Sequence, residues 1–188
     1  MAAWDDARYF AFLANTHAGI VRRMEFTYRL TGKGWAEARI ADGTSQAVIT
    51  ASYLSDALGD LLEALGTMLE GAGEARCSWE EEPGEYRWIF AREDRDQVTL
   101  RILEFADMYA RPDTRAGVVR LALRPDEEGE LRFSTTQPVT VLAQAIADGA
   151  AAALAEYGEA GYQAKWLEAP FPVAHLEMIR GYLGAEWN

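Results

Sequence analysis

Cysteine is almost missing. Cys77 stands alone among 188 residues, so no intrachain disulfide can form and thiolates cannot build a zinc cluster. Histidine is nearly as scarce. His17 and His175 lie at opposite ends of the chain, with no second imidazole three or four residues away to make a helical metal pair, and general-base chemistry has few candidates. Lysine occurs only at Lys33 and Lys165, against sixteen arginines, a bias of GC-rich coding rather than a physical demand. No signal peptide is expected: Trp4, Asp5 and Asp6 stand where its basic region would be, and Tyr9 to Leu13 is too short an apolar stretch. No window approaches the roughly 20 apolar residues of a bilayer span. The expectation is a cytoplasmic protein without a membrane partner.

Positive charge is the other shortage. Thirty acidic side chains face eighteen basic ones, for a formal net charge of −12. Residues 1–73, 74–134 and 135–188 are each net negative, so no basic lobe hides inside the acidic total. Nucleic-acid binding needs clustered Lys and Arg to displace counterions, and this field repels phosphate. A basic protein partner is favoured instead, because complementary fields speed encounter; the same charge also serves plain solubility.

What is present suffices for a packed core. Hydrophobic residues make up 49% and charged residues 26%, ordinary for a globular chain. Phe26, Tyr28 and Leu30 alternate, as do Ala36, Ala38 and Ile40, then Ala47, Ile49 and Ala51. Turn signals separate them at Thr31–Gly34 and at Asp42-Gly43. A helix is expected from Ser55 to Glu70, with Ser55 as cap, Gly71 as terminator and a stripe of Leu58, Leu61, Leu62, Leu65 and Leu69. Gly59 and Gly66 fall on one side of it and predict close approach to a sheet. Alternation resumes at Ala75, Cys77 and Trp79, at Tyr86, Trp88 and Phe90, at Val98, Leu100 and Ile102, and at Val119, Leu121 and Leu123. Pro83-Gly84 fits a tight turn with Gly at a positive-φ position. Asp126–Gly129 reads as a solvated hairpin tip. Helices follow at 138–157 and 172–183, with a shorter one at 5–14. The order predicts an α+β fold: antiparallel meanders of about eight strands, packed against two long helices and a short C-terminal one. Residues 1–188 are expected to form one domain, with 1–23 an N-terminal arm or short helix.

Nothing here carries a catalytic, cofactor or metal signature. Gly32–Gly34 and Gly71–Gly73 lack the rest of a phosphate loop or dinucleotide fingerprint. Cys77 sits where a small buried residue belongs, with no base nominated beside it. The densest polar feature is Glu80, Glu81, Glu82 and Glu85 around the Pro83-Gly84 turn, flanked by Trp79, Tyr86 and Trp88. Adjacent strand residues point to opposite faces, which makes a poor metal site. Aromatic contact area beside acidic selectivity fits a protein interface better. The candidate partner-binding set is therefore Trp79, Glu80, Glu81, Glu82, Glu85 and Tyr86, joined by Asp126, Glu127 and Glu128 of the second acidic tip.

The segments Ser52–Leu62 and Trp79–Trp88 resemble a family of small bacterial proteins of uncharacterised function. The strand-helix-strand layout is also similar to that of immunity proteins of bacterial polymorphic toxin systems. That likeness implies a non-enzymatic protein that neutralises a toxin by covering it, and it transfers no catalytic residue. Two other readings stay open. One is a small-molecule-binding domain or small enzyme with a pocket between sheet and helix, lined by Arg87, Arg101, Arg120 and Glu104. The other is a structural protein that self-associates.

Overall fold

The structure, a computed structural model, describes residues 24–107 and 123–185. The expected helix at 5–14, His17, Arg120 and nearly all of the strand expected at 119–123 lie outside the described residues.

Alternation of small or apolar residues with polar ones builds the first sheet. Strands β1 (Glu25–Gly32), β2 (Trp35–Ala41) and β3 (Gln46–Ser52) pair antiparallel in that order. Phe26, Tyr28, Leu30, Ala36, Ala38, Ile40, Ile49 and Ala51 fill its inner face. At the β1–β2 turn Gly34 has φ +74°, and a Cβ there would lie 2.7 Å from the Tyr53 ring. The β2–β3 turn is shaped by Asp42, whose Oδ1 accepts the amides of Thr44 (2.9 Å) and Ser45 (2.8 Å).

The second sheet has four strands, β4 (Glu74–Glu80), β5 (Glu85–Arg92), β6 (Gln97–Phe105) and β7 (Glu130–Pro138), all antiparallel. Seven strands and three helices among the described residues make this an α+β fold. The acidic tip expected at 126–129 is a 3-10 turn, Asp126–Glu128, leading into β7. In the β4–β5 turn the positive φ falls on Glu82 (39°), not on Gly84. Gly84 is needed for room instead: a Cβ there would sit 2.5 Å from the Phe105 carbonyl oxygen.

Three helices complete the molecule. Helix α1 (Ala57–Leu69) starts at Asp56 rather than Ser55: the Asp56 carboxylate accepts the Gly59 amide at 3.2 Å, while Ser55 Oγ accepts the Glu80 amide. Leu58, Leu61, Leu62, Leu65 and Met68 are fully buried along its inner side. The glycines serve a different purpose from the one expected. A Cβ at Gly59 would collide with the Asp56 cap, and one at Gly66 would lie 2.9 Å from Met178 Cε on another helix.

Helix α2 (Val139–Trp166) runs past its expected end at 157, through a break at Gly158 (φ 62°). Length and composition alone would let it cross a bilayer, contrary to the expectation that no window approaches a span. Its Leu142, Ile146, Ala150 and Ala153 side is nevertheless buried against β1, as in a core helix. Gly149 permits the approach, since a Cβ there would lie 2.7 Å from the Phe26 carbonyl oxygen. Helix α3 (Val173–Ala185) packs on both α1 and α2 through Leu176, Ile179 and Leu183.

An aromatic cluster joins the layers. Phe26 and Tyr28 of β1 meet Trp88 and Trp79 of the second sheet at centroid distances of 6.4 and 6.0 Å, and the two tryptophans lie 4.9 Å apart. Beyond the Gly158 break, Tyr162 brings its hydroxyl 3.2 Å from that of Tyr28 and stands edge-on to Phe171 at 5.2 Å. Edge and offset geometries of this kind add to the burial of the rings.

Candidate protein-binding site

The β4–β5 hairpin sets the first half of the site. Its ladder ends with Glu80 directly opposite Glu85, and the Glu81 amide donates to the Gly84 carbonyl at 2.8 Å. Alternation sends Trp79 and Tyr86 to the inner face, where both are buried. Trp79 thus supports the turn from beneath and offers no contact area. Glu82 is exposed, whereas Glu80 and Glu81 are half-buried. Thr50 Oγ1 donates to Glu81 Oε1 at 2.5 Å, tying the turn to β3. Burial, reinforced by the charges of Glu81 and Glu104, pushes the Tyr86 phenol up to about 12.

Arg87 brings in the second half. One position after Tyr86, it points to the outer face of the sheet, where its side chain is only 10% exposed. Its Nε and Nη2 both lie 2.7 Å from Glu85 Oε1, with hydrogen-bond geometry through Nε. Its Nη1 donates to Asp126 Oδ1 (2.6 Å) and to the Arg124 carbonyl (2.9 Å). The guanidinium lies 4.3 Å above the Phe105 ring, within cation–π range. Arg76 continues the chain, donating to Asp126 Oδ2 (2.7 Å) and Glu74 Oε1 (2.5 Å). Burial opposes ionisation of Asp126, but the bonds from Arg87 and Arg76 outweigh it and hold the carboxyl below its ordinary range.

The two acidic segments singled out in the sequence, some forty residues apart, therefore share one corner. Glu127 and Glu128 are exposed on it, Glu128 paired with Arg124 at 2.8 Å. Glu85, placed on the same face, is only 2% exposed and serves Arg87. The sequence signal for this linkage was the arginine at the centre of β5, in a run where Glu85 to Phe90 are all buried. Of the other strand residues proposed to line a pocket, Glu104 is bonded to Arg132.

Beside this corner, on the outer face of β4 and β5, lies a cavity of about 490 Å³ lined by Arg76, Ser78, Glu80, Glu85, Arg87 and Leu123. A neighbouring one of about 430 Å³ opens at the edge of the contact between α1 and β4, lined by Asp60 and Glu63 of the helix and by Arg76 and Cys77 of the strand. Burial, then the charges of Asp56 and Glu63, pushes Asp60 up to about 6, against a smaller pull from His175. Burial, aided by Asp60, raises the Cys77 thiol well above its ordinary value, which leaves it protonated and a poor nucleophile. Burial and the charges of Glu85 and Glu82 raise the Glu80 carboxyl. The interface between α1 and the sheets, by contrast, is filled by fully buried side chains. Among the described residues no three carboxylate, imidazole or thiol groups stand together as a metal site requires.

Neither a protein-family model nor a curated protein matches the sequence at a significant level. Among solved structures, the fold is similar to a chain of the CdiA-CT/CdiI toxin and immunity complex from Enterobacter cloacae, with 11% identity over 66% of this chain and 97% of that one and a TM-score of 0.41. That likeness is too distant to carry an argument.

Proposed function

We propose that this chain is a partner-binding protein of the cytoplasm whose acidic corner receives a basic protein surface, as an inhibitor covers a toxin or enzyme. The observation that carries the reading is the bond of Arg87 to both Glu85 and Asp126. It gathers two acidic segments onto one flank and spends the local cations internally, leaving Glu82 and Glu127 facing outward. Exposed acidic groups around a rigid hairpin steer a basic partner and select against acidic ones. The immunity-protein form of the reading draws its support from the strand-helix-strand layout β3–α1–β4, which is similar to that of immunity proteins.

The test reverses charge where the fold does not depend on it. The partner is captured from the native host and identified, and its association is then followed by stopped flow. The double variant Glu82→Lys with Glu127→Lys should associate about tenfold more slowly at low ionic strength, with a shallower salt dependence and an unchanged unfolding midpoint. Equal rates for the variant and the parent protein would remove the corner from the interface.

A further inference from the structure

We propose that the end of the first sheet bearing the β1–β2 turn is the contact surface of a two-fold dimer with a second copy of this chain; the inference goes beyond the partner-binding reading and does not rest on it. Hydrogen bonds tie a row of surface segments together there. The Gly34 amide donates to the Lys165 carbonyl (2.7 Å), and the Tyr53 amide donates to the Gly34 carbonyl (2.9 Å). Two residues on, Ser55 Oγ accepts the Glu80 amide, and Thr50 Oγ1 donates to Glu81. The row therefore runs from Lys33 and Lys165, through Trp35 and Leu54, to the acidic turn that carries Glu82. Lys33 and Lys165 are the chain's only lysines. Among the described residues neither meets a carboxylate, and Lys165 Nζ lies 4.6 Å from the Tyr157 ring centroid. Trp35 and Leu54 are 38% and 50% exposed, and Glu82 is exposed at the other end.

The order of signs identifies the occupant. Cation, apolar centre and anion follow one another, so a two-fold axis through the centre sets the lysine end of one copy on the acidic end of the other, twice over. A foreign basic surface would be repelled by Lys33 and a foreign acidic one by Glu82, whereas a second copy answers both. Trp35 points to the outer face of the sheet, in alternation with the buried Ala36 and Ala38. With Leu54 it supplies the aromatic and apolar centre that protein contacts favour. Beside the lysine end, Arg29 and Arg39 share a single carboxylate, that of Glu37, which adds positive charge to that side. Two molecules at −12 each repel at long range. At physiological salt the Debye length is about 8 Å, so that repulsion is largely screened while charges in contact keep their attraction.

Sedimentation equilibrium of the full chain at about 0.15 M salt should show a reversible equilibrium between monomer and dimer. Lys33→Glu and Glu82→Lys should each raise the dissociation constant about tenfold, because every contact occurs twice across the axis. Combined in one chain, the two should bring it back to within about threefold of the parent value, since the exchange restores opposite signs. Leu54→Asp, which places a charge in the apolar centre, should leave only monomer. All of these variants should keep the parent's unfolding midpoint, as the side chains changed are exposed, so a lost dimer is not a lost fold. A parent chain that stays monomeric up to about 1 mM, or one whose assembly grows past two copies, would overturn the proposal. So would a dimer indifferent to Lys33→Glu, or a double variant no tighter than the single ones.

Discussion

Arg87 keeps three acceptors around one guanidinium that is nine-tenths buried, and what it satisfies would be costly to leave unmet. Replacing it by methionine retains much of the packing over Phe105 but strands Glu85, itself 2% exposed. Breaking a buried pair from one side costs about 3–5 kcal/mol. Urea titration of Arg87→Met should show a loss of that order, and the Asp126 carboxyl should move up toward its ordinary range by NMR titration. Asp60 behaves in the opposite sense. Its carboxyl is raised from 3.8 to about 6 by burial first and by Asp56 and Glu63 second, so the folded state holds the proton more tightly than the unfolded one. Its stabilising contribution is complete below about pH 4 and fades as pH rises to about 6. Because the group is half open to solvent, the neutral-pH penalty is only ~1 kcal/mol after screening. Asp60→Asn should recover that amount at pH 7 and flatten the stability slope between pH 4 and 6, as read by unfolding at a series of pH values.

Helix α2 and strand β1 meet through Gly149, and that contact can be tested as one element on another. In Gly149→Ala the added methyl would fall 2.7 Å from the Phe26 carbonyl oxygen. Backbone must shift, and overpacking of this kind costs about 1–3 kcal/mol despite the better helix propensity of alanine; thermal unfolding should register the loss. Most strands were legible because their apolar residues keep a period of two from Phe26 to Ile102. Strand β7 was harder to see, since the positions it buries are Phe133, Thr135 and Gln137, two of them polar, and its pairing with β6 is marked by a Thr99–Thr136 hydroxyl bond instead. The continuation of α2 was hidden by Gly158, where the apolar phase restarts and leaves Tyr162 and Trp166 looking like loop residues. The acidic corner was half legible: its glutamates stood out by density and alternation pointed Trp79 and Tyr86 inward, while the burial of Glu85 depends on a second covered face of β5 that no local pattern announces.

At the scale of the whole molecule, thirty acidic groups against eighteen basic ones act on two processes in opposite directions. Added salt screens the repulsion within the fold, so the unfolding temperature should rise modestly with ionic strength. The same screening should slow encounter with a basic partner. Measuring both on one preparation separates them, and a midpoint that falls with salt would mean that the ion pairs around Arg76 and Arg87 outweigh the general repulsion. The hydroxyl contact between Tyr28 and Tyr162, 134 positions apart, bears on how the chain assembles. On a ribosome, the strand carrying Tyr28 emerges long before its mate exists. Until residue 166 has been synthesised, the tryptophan-rich interior stays uncovered, so a nascent chain needs shelter from aggregation for most of its translation, and completion should be slow for a protein of this size.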